Sequence, residues 1–246
     1  MSGWLNHIWV IHMLDITDLN AYYGESHALK NVRMRVPKGE VVIIVGPNGH
    51  GKSTLLKSIC GLVDKVQGQV AWNGEDITHL GTAKIVNMGI TYIAENRELF
   101  PYMSVRDNLK LGAYSRRAKA NEKKNEEWVA ELFPKLVERR NQLSSTMSGG
   151  EAKMLAIARG LMSDADLLCI DEPALGLQPS YRTDIFRIIQ EISKQGKTVL
   201  LVEQNIPQLF EMADRLYIMD EGCLSFKGGK EDALSDDQLK EILFGM

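Results

Sequence analysis

Five consecutive apolar residues, Val41-Val42-Ile43-Ile44-Val45, run directly into Gly46-Pro47-Asn48-Gly49-His50-Gly51-Lys52-Ser53, and helix-forming residues continue to Cys60 before Gly61. No other feature restricts the fold as tightly. A continuously apolar, β-branched strand is buried on both faces, so it belongs inside a mainly parallel sheet covered by helices. The spacing G-x4-G-K-S between a strand and a helix presents backbone N–H groups at a helix N-terminus, where the amides and the helix dipole both favour anionic phosphate. Gly46, Gly49 and Gly51 permit close approach and unusual dihedrals. Pro47, Asn48, His50 and Thr54 complete the cradle, Lys52 reaches β- and γ-phosphates, and Ser53 can hold magnesium. A plain glycine turn has no need of the whole pattern.

Similar reasoning places the other elements. Met13-Leu14-Asp15-Ile16 and Val32-Arg33-Met34-Arg35-Val36 alternate apolar and polar residues, as half-exposed antiparallel strands do. Gln69 to Trp72 with Asn73-Gly74 predicts a strand and tight turn. Leu167 to Ile170 and Thr198 to Val202 predict buried parallel strands with a helix over Ser180 to Lys194 between them. Leu216 to Met219 and Cys223 to Phe226 form a final pair, and Asp236 to Leu243 a capping helix. The expected fold is an α/β ATP-binding core with a mainly parallel sheet and flanking helices, an antiparallel β subdomain, and an inserted α-helical lobe. Residues 1–12 read as an N-terminal extension, a loose tail in preference to a membrane-surface anchor. Residues 13–246 read as one domain, with the core over 13–94 and 146–246 and the helical lobe over 95–145. The charge run from Arg116 to Glu127 reads as a solvated helix face.

Two further segments carry chemistry. Leu167 to Ile170 end in Asp171-Glu172, which puts two carboxylates at the C-terminal end of a strand beside the phosphate loop. Asp171 would bind magnesium and Glu172 would polarise an attacking water, because phosphoryl transfer needs positioning and charge stabilisation more than covalent chemistry. About twenty residues earlier, Ser148-Gly149-Gly150-Glu151 opens a helix; Ser148 is a good cap and the glycines expose backbone amides. A second anion site is sensible if it grips a different nucleotide.

Bulk properties exclude other classes. The chain has 246 residues, 44% apolar and 25% charged, with a net charge of −3, which gives no electrostatic footprint for nucleic acid. No apolar run approaches the roughly 20 residues that span a bilayer, and the N-terminus lacks the basic leader and long apolar stretch of a signal peptide. Cys60, Cys169 and Cys223 read as reduced core thiols of a cytosolic protein, neither a disulfide framework nor a metal site.

In order along the chain, the phosphate loop, Met147-Ser148-Gly149-Gly150-Glu151, Leu167 to Glu172 and Val199 to Gln204 resemble the ATP-binding subunit of ABC transporters. The resemblance covers nearly the whole chain. It implies ATP and Mg2+ as cofactors, Tyr23 as an aromatic platform for adenine, and Ser148, Gly149, Gly150 and Glu151 as a clamp on the γ-phosphate held by a partner subunit. It places Glu95 at the metal and lytic water, and Gln204 at the γ-phosphate, where the family commonly carries glutamine and histidine respectively. Gln178 stands where an aspartate is usual. His50 replaces a small residue and reads as a solvent-side substitution.

Tyr92-Ile93-Ala94-Glu95 with Arg97, Ser-Gly-Gly-Glu, Leu175-Gly176-Leu177 and Val202-Glu203-Gln204-Asn205 are together similar to the second ATPase subunit of uptake systems for branched-chain amino acids, short amides and urea. The departures therefore read as a subfamily style rather than inactivation. Ala152-Lys153 and Ala174 fall outside that style and bear on turnover. The implied partners are a second, related ATPase subunit (a homodimer when expressed alone), two transmembrane permeases and, indirectly, a periplasmic solute-binding protein, at the cytoplasmic face of the inner membrane. Leu99 to Met103 would form a groove for a permease helix. The expected function is to power an importer for branched-chain or other hydrophobic amino acids. The alternatives are a nucleotide-gated dimerisation module with little turnover, or the ATPase of a related importer for urea or short amides.

Overall fold

The computed structural model describes residues 12–204 and 207–228. The helix expected over Asp236 to Leu243, and residues 1–11 of the expected extension, lie outside the described residues. The chain begins with strands β1 (His12–Tyr23), β2 (Ser26–Pro37) and β3 (Val41–Val45), then helix α1 (Lys52–Ile59), β4 (Lys65–Trp72) and the short β5 (Glu75–Asp76). Helix α2 (Thr82–Met88) leads to β6 (Ile90–Ile93) and a run of helices, α3 (Val105–Gly112), α4 (Arg116–Ala120), α5 (Glu122–Leu132) and α6 (Pro134–Glu138). After a 3-10 turn at Ser144–Thr146 come α7 (Gly149–Leu161), β7 (Leu167–Asp171), α8 (Pro179–Lys194), β8 (Thr198–Glu203), α9 (Pro207–Phe210), β9 (Arg215–Asp220) and β10 (Cys223–Gly228).

The strands form two sheets. An antiparallel sheet has the order β2-β1-β4-β5, and a six-stranded sheet has the order β10-β9-β3-β8-β7-β6. In the second, β9, β3, β8, β7 and β6 pair in parallel, while β10 returns antiparallel on β9. The strand β4 begins earlier than its apolar residues suggest, because Lys65 pairs with Tyr22 and extends the ladder on β1.

The unbroken apolar runs have a simple cause. Successive residues of β3, β7 and β8 point to opposite faces, and each face meets its own core. Val41, Ile43, Val45, Leu168, Ile170, Val199 and Leu201 join the core with α7 and α8, among Leu155, Ile157, Ile185 and Ile189. Val42, Ile44, Leu167, Cys169, Leu200 and Val202 join the other core, with α1 and the antiparallel sheet. Each such side chain stabilises the fold by about 1.5–3 kcal/mol, which pins β3, β8 and β7 in the interior of the sheet, where the site is built. Met154, Leu155, Ile157, Ala158, Leu161 and Met162 are buried as their spacing predicts.

The helical run α3 to α6 is tied to the preceding loop by Asn108. This fully buried amide accepts from Phe100 N–H at 2.9 Å and donates to the carbonyls of Phe100 at 3.1 Å and Ser104 at 3.0 Å. Leu99 packs inward against the core, whereas Phe100 and Tyr102 are exposed. Cys60 and Cys169 are buried thiols, but Cys223 is exposed, contrary to the core reading, since it starts the edge strand β10 just after the turn. Among the described residues no helix is long and apolar enough to cross a membrane.

Candidate functional site

The loop between β3 and α1 is packed too closely for side chains at two of its glycines, Gly46 and Gly51. A Cβ on Gly46 would collide with the Met219 carbonyl, and one on Gly51, whose φ is 103°, would press on Ala28 and Leu29. Helix α1 begins with no side-chain cap and no acidic residue in its first turn. Its leading amides and the positive end of its dipole are therefore left to an anion.

Lys52 is buried and folded over this loop. Its Nζ donates to the carbonyls of Gly46 at 2.7 Å and Pro47 at 3.0 Å and lies 3.3 Å from Glu172 Oε1. Ser53 Oγ donates to Asp171 Oδ1 at 3.0 Å, and Tyr92 OH donates to Asp171 Oδ2 at 2.6 Å. Burial raises the Tyr92 phenol above its ordinary pKa, and the bond to Asp171 adds to the shift, so the hydroxyl keeps its proton and remains a donor. Glu172 follows β7 with a φ of 41° and accepts from Gln204 Nε2 at 2.8 Å through Oε2. Glu203, at the end of β8, accepts from the N–H groups of Ala174 at 3.0 Å and Gln204 at 3.1 Å. The turn that carries Glu172 is thus fastened to the neighbouring strand.

A cleft of about 290 Å³ opens over these groups, lined by Asn48, Gly49, Gly51, Lys52, Ser53, Thr54, Glu95, Glu172 and Leu175. Eight of these nine, all but Leu175, are site residues expected from the sequence. Asp171 lies behind Ser53, Gln204 lies behind Glu172, and Gly46 and Pro47 turn their carbonyls to Lys52. His50 turns away from the cleft: its Nδ1 sits 2.8 Å from Asp220 Oδ1 and 3.1 Å from the Glu221 N–H, and its carbonyl accepts from Gly222. Tyr23 is exposed at the end of β1, whereas Tyr22 stacks on His27 with ring centroids 4.4 Å apart.

Ser148, Gly149, Gly150 and Glu151 do not line this cleft. They open α7 with a capping box: Glu151 Oε2 accepts from Ser148 N–H at 2.9 Å, and Ser148 Oγ accepts from Glu151 N–H at 3.4 Å. Gly150 packs flat on the Tyr181 ring, and Gly149 lies beside the Arg97 guanidinium.

The donor set fits the groups the sequence implies. A hydroxyl and a carboxylate oxygen that already meet at 3.0 Å suit a hard divalent cation such as magnesium. The amide-rich loop with a lysine suits a polyphosphate. Two site residues escape a sequence reading. Tyr92 looks like an ordinary strand aromatic until the register pairs β6 with β7. Lys153, which the sequence marks only as a departure bearing on turnover, is buried, and its Nζ donates to the carbonyls of Ala94 at 3.2 Å, Glu95 at 3.0 Å and Asp171 at 3.3 Å. Burial pushes its ammonium down to about 8, against the pull of the Asp171 charge.

A parallel sheet, a glycine loop at a helix N-terminus, and a strand ending in paired carboxylates define a nucleotide-binding phosphate-loop ATPase. Comparison with known proteins makes this more specific. The model of the ABC transporter family matches residues 29–175. The high-affinity branched-chain amino acid transport ATP-binding protein BraG of Pseudomonas aeruginosa is 39% identical over 95% of this chain and 100% of its own length. The probable branched-chain amino acid transport ATP-binding protein LivF of Archaeoglobus fulgidus is 37% identical, over 95% and 99%. Among solved structures, a nucleotide-free ATP-binding cassette from an ABC transporter superposes with a TM-score of 0.81 at 29% identity, covering 94% of this chain and 98% of that one. The chain belongs to the ABC transporter family and is an ATPase cassette of it.

Proposed function

We propose that this chain is the ATP-hydrolysing subunit of an importer for branched-chain or other hydrophobic amino acids, working at the cytoplasmic face of the membrane. The observation that carries the enzymatic part is Glu172, fixed at the cleft between Lys52 and Gln204. ATP is the substrate. Its phosphates exchange Lys52 from the loop carbonyls onto themselves and take the leading amides of α1. Ser53 and Asp171 would hold magnesium, with Glu95 facing the same cleft; the metal neutralises phosphate charge when bound. Glu172 orients and polarises the attacking water, and Gln204 holds that carboxylate in line. Tyr23 offers its exposed ring to adenine.

The segment Ser148 to Glu151 stands apart from the cleft of its own chain, which supports a role as clamp for nucleotide bound by a second subunit. That subunit is a related ATPase, with two permeases above the pair and a periplasmic solute-binding protein beyond them. A surface hollow of about 470 Å³, with Leu62, Phe100, Leu111 and Tyr114 on its wall, supports docking of a permease helix. The names and the extent of the similarity to BraG and LivF support the choice of solute.

Glu172→Gln is the test. The variant is expected to bind ATP, form a lasting dimer and release no phosphate above background. Unchanged hydrolysis would remove Glu172 from the role of base. A nucleotide-gated module with little turnover is the second reading, favoured by the fact that both Glu172 oxygens are already engaged. Steady phosphate release by the complex purified with its membrane partners would exclude it.

A further inference from the structure

Helix α7 joins two places that the proposed mechanism treats separately. Its first turn carries Gly149 and Gly150, and one turn later, on the same side, it carries Lys153. Lys153 is only 3% exposed, and its ammonium reaches three main-chain carbonyls: Ala94 and Glu95 in the loop after β6, and Asp171 at the end of β7. No carboxylate lies within ion-pair distance of it among the described residues. Glu95, Arg97, Asp171 and Glu203 are the charged groups that act on it from the surrounding elements.

A cation placed this way is costly as a structural device. Three carbonyl dipoles recover part of its lost hydration, yet an apolar side chain of similar length would fill the same space with no buried charge to desolvate. What only a multiple donor can do is hold three carbonyls from two separate elements at one point. Those elements are the ones that present Glu95 and Asp171 to the cleft.

We propose that Lys153 is a positioning residue that locks the partner-facing end of α7 to the Glu95 loop and the Asp171 strand end, so that seating of the partner's nucleotide on Gly149 and Gly150 sets the magnesium-facing groups of the same subunit. The proposal rests on the clamp reading given above. It differs from it in naming how the clamp communicates with the chain's own cleft. The link is short and mechanical: one helical turn and three hydrogen bonds from a single nitrogen.

The experiment compares Lys153→Met and Lys153→Gln in the full chain. Melting temperature, binding of a fluorescent ATP analogue in EDTA and in magnesium, ATP-driven dimerisation in the Glu172→Gln background, and phosphate release are measured for each. Lys153→Met is expected to melt at or above the parent temperature and to bind the analogue in EDTA within twofold of the parent. It is also expected to lose the gain in affinity that magnesium gives, and to dimerise and turn over at least tenfold less well. Lys153→Gln keeps two donors and is expected to recover turnover to within about threefold. The proposal is overturned if Lys153→Met lowers melting temperature and every other readout together, if it leaves dimerisation and turnover unchanged, or if Gln gives no rescue. A parent Glu172→Gln chain that fails to dimerise with ATP sinks the clamp reading instead; the magnesium response of Lys153→Met still decides whether Lys153 positions the metal-facing groups.

Discussion

Replacing Tyr92 by Phe removes one oxygen atom and tests how the Asp171 carboxylate is held. Asp171 is 1% exposed, and its two oxygens are served by two hydroxyls, Ser53 on Oδ1 and Tyr92 on Oδ2. Phe fills the same volume, so no cavity term enters. The loss is that of a hydrogen bond to a charged group, about 1.5–3 kcal/mol, with a buried acceptor left unmet. A central value of about 2 kcal/mol corresponds to a fall in melting temperature of about 4–8 °C for a chain of this size. The measurement is thermal unfolding in EDTA and again in saturating Mg·ATP. In EDTA the full drop is expected. With metal and nucleotide present the cation takes over the Asp171 charge, and the gap between parent and variant should narrow by at least half. In the Asp171→Asn background the acceptor is neutral, so Tyr92→Phe should cost only about 1 kcal/mol. An unchanged melting temperature in EDTA, or an equal drop in both backgrounds, would refute the reasoning.

Gly150→Ala is expected to destabilise the chain by about 1–3 kcal/mol, because the new methyl group lands on the Tyr181 ring. Tyr181→Ala in the same chain should relieve that cost, and chemical denaturation of the four chains of the cycle measures the coupling. Alkaline stability reports on Lys153. Its folded value is near 8 against the ordinary 10.5 of an exposed lysine, so between those values the unfolded chain binds more protons and stability climbs as pH rises. Complete deprotonation would add about 3 kcal/mol as an upper bound, from about 1.4 kcal/mol for each pKa unit. Lys153→Met removes that climb, so the difference in stability between parent and Lys153→Met measured at pH 7.5 and pH 10 should shrink at the higher pH. A constant difference would argue against a buried ammonium.

The parts of this fold legible from the chain are those where a local pattern and the tertiary environment demand the same residues. β3, β7 and β8 can be recognised because both of their faces are buried, so apolar side chains fill every position except Asp171 at the end of β7 and Thr198 and Glu203 at the ends of β8. The start of α7 can be recognised because Ser148 and Glu151 satisfy each other's amides within a single turn. Tyr92 could not be assigned this way. Its hydroxyl finds Asp171 only because β6 lies parallel to β7 with Tyr92 opposite Cys169, a register set by contacts distant in sequence. His50 belongs to the same class, being held by the turn between β9 and β10, about 170 residues away along the chain.

The charge run from Arg116 to Glu127 shows the limit from the other side. Most of it is a solvated face, as its composition suggests, yet Arg117 leaves that face. It donates to the Asp164 carbonyl at 2.7 Å and meets Asp166 at 2.6 Å, fastening α4 beside the entry to β7. Lys153 departs further. On an isolated α7 a lysine would project into water; here the loop after β6 and the end of β7 close over it and supply carbonyls in place of solvent. A helix pattern encodes which positions are apolar and says nothing about where main-chain acceptors from other elements will converge. Polar residues that work through such convergence therefore stay hidden until strand order is known, and in this chain Tyr92 and Lys153, two of them, meet at Asp171.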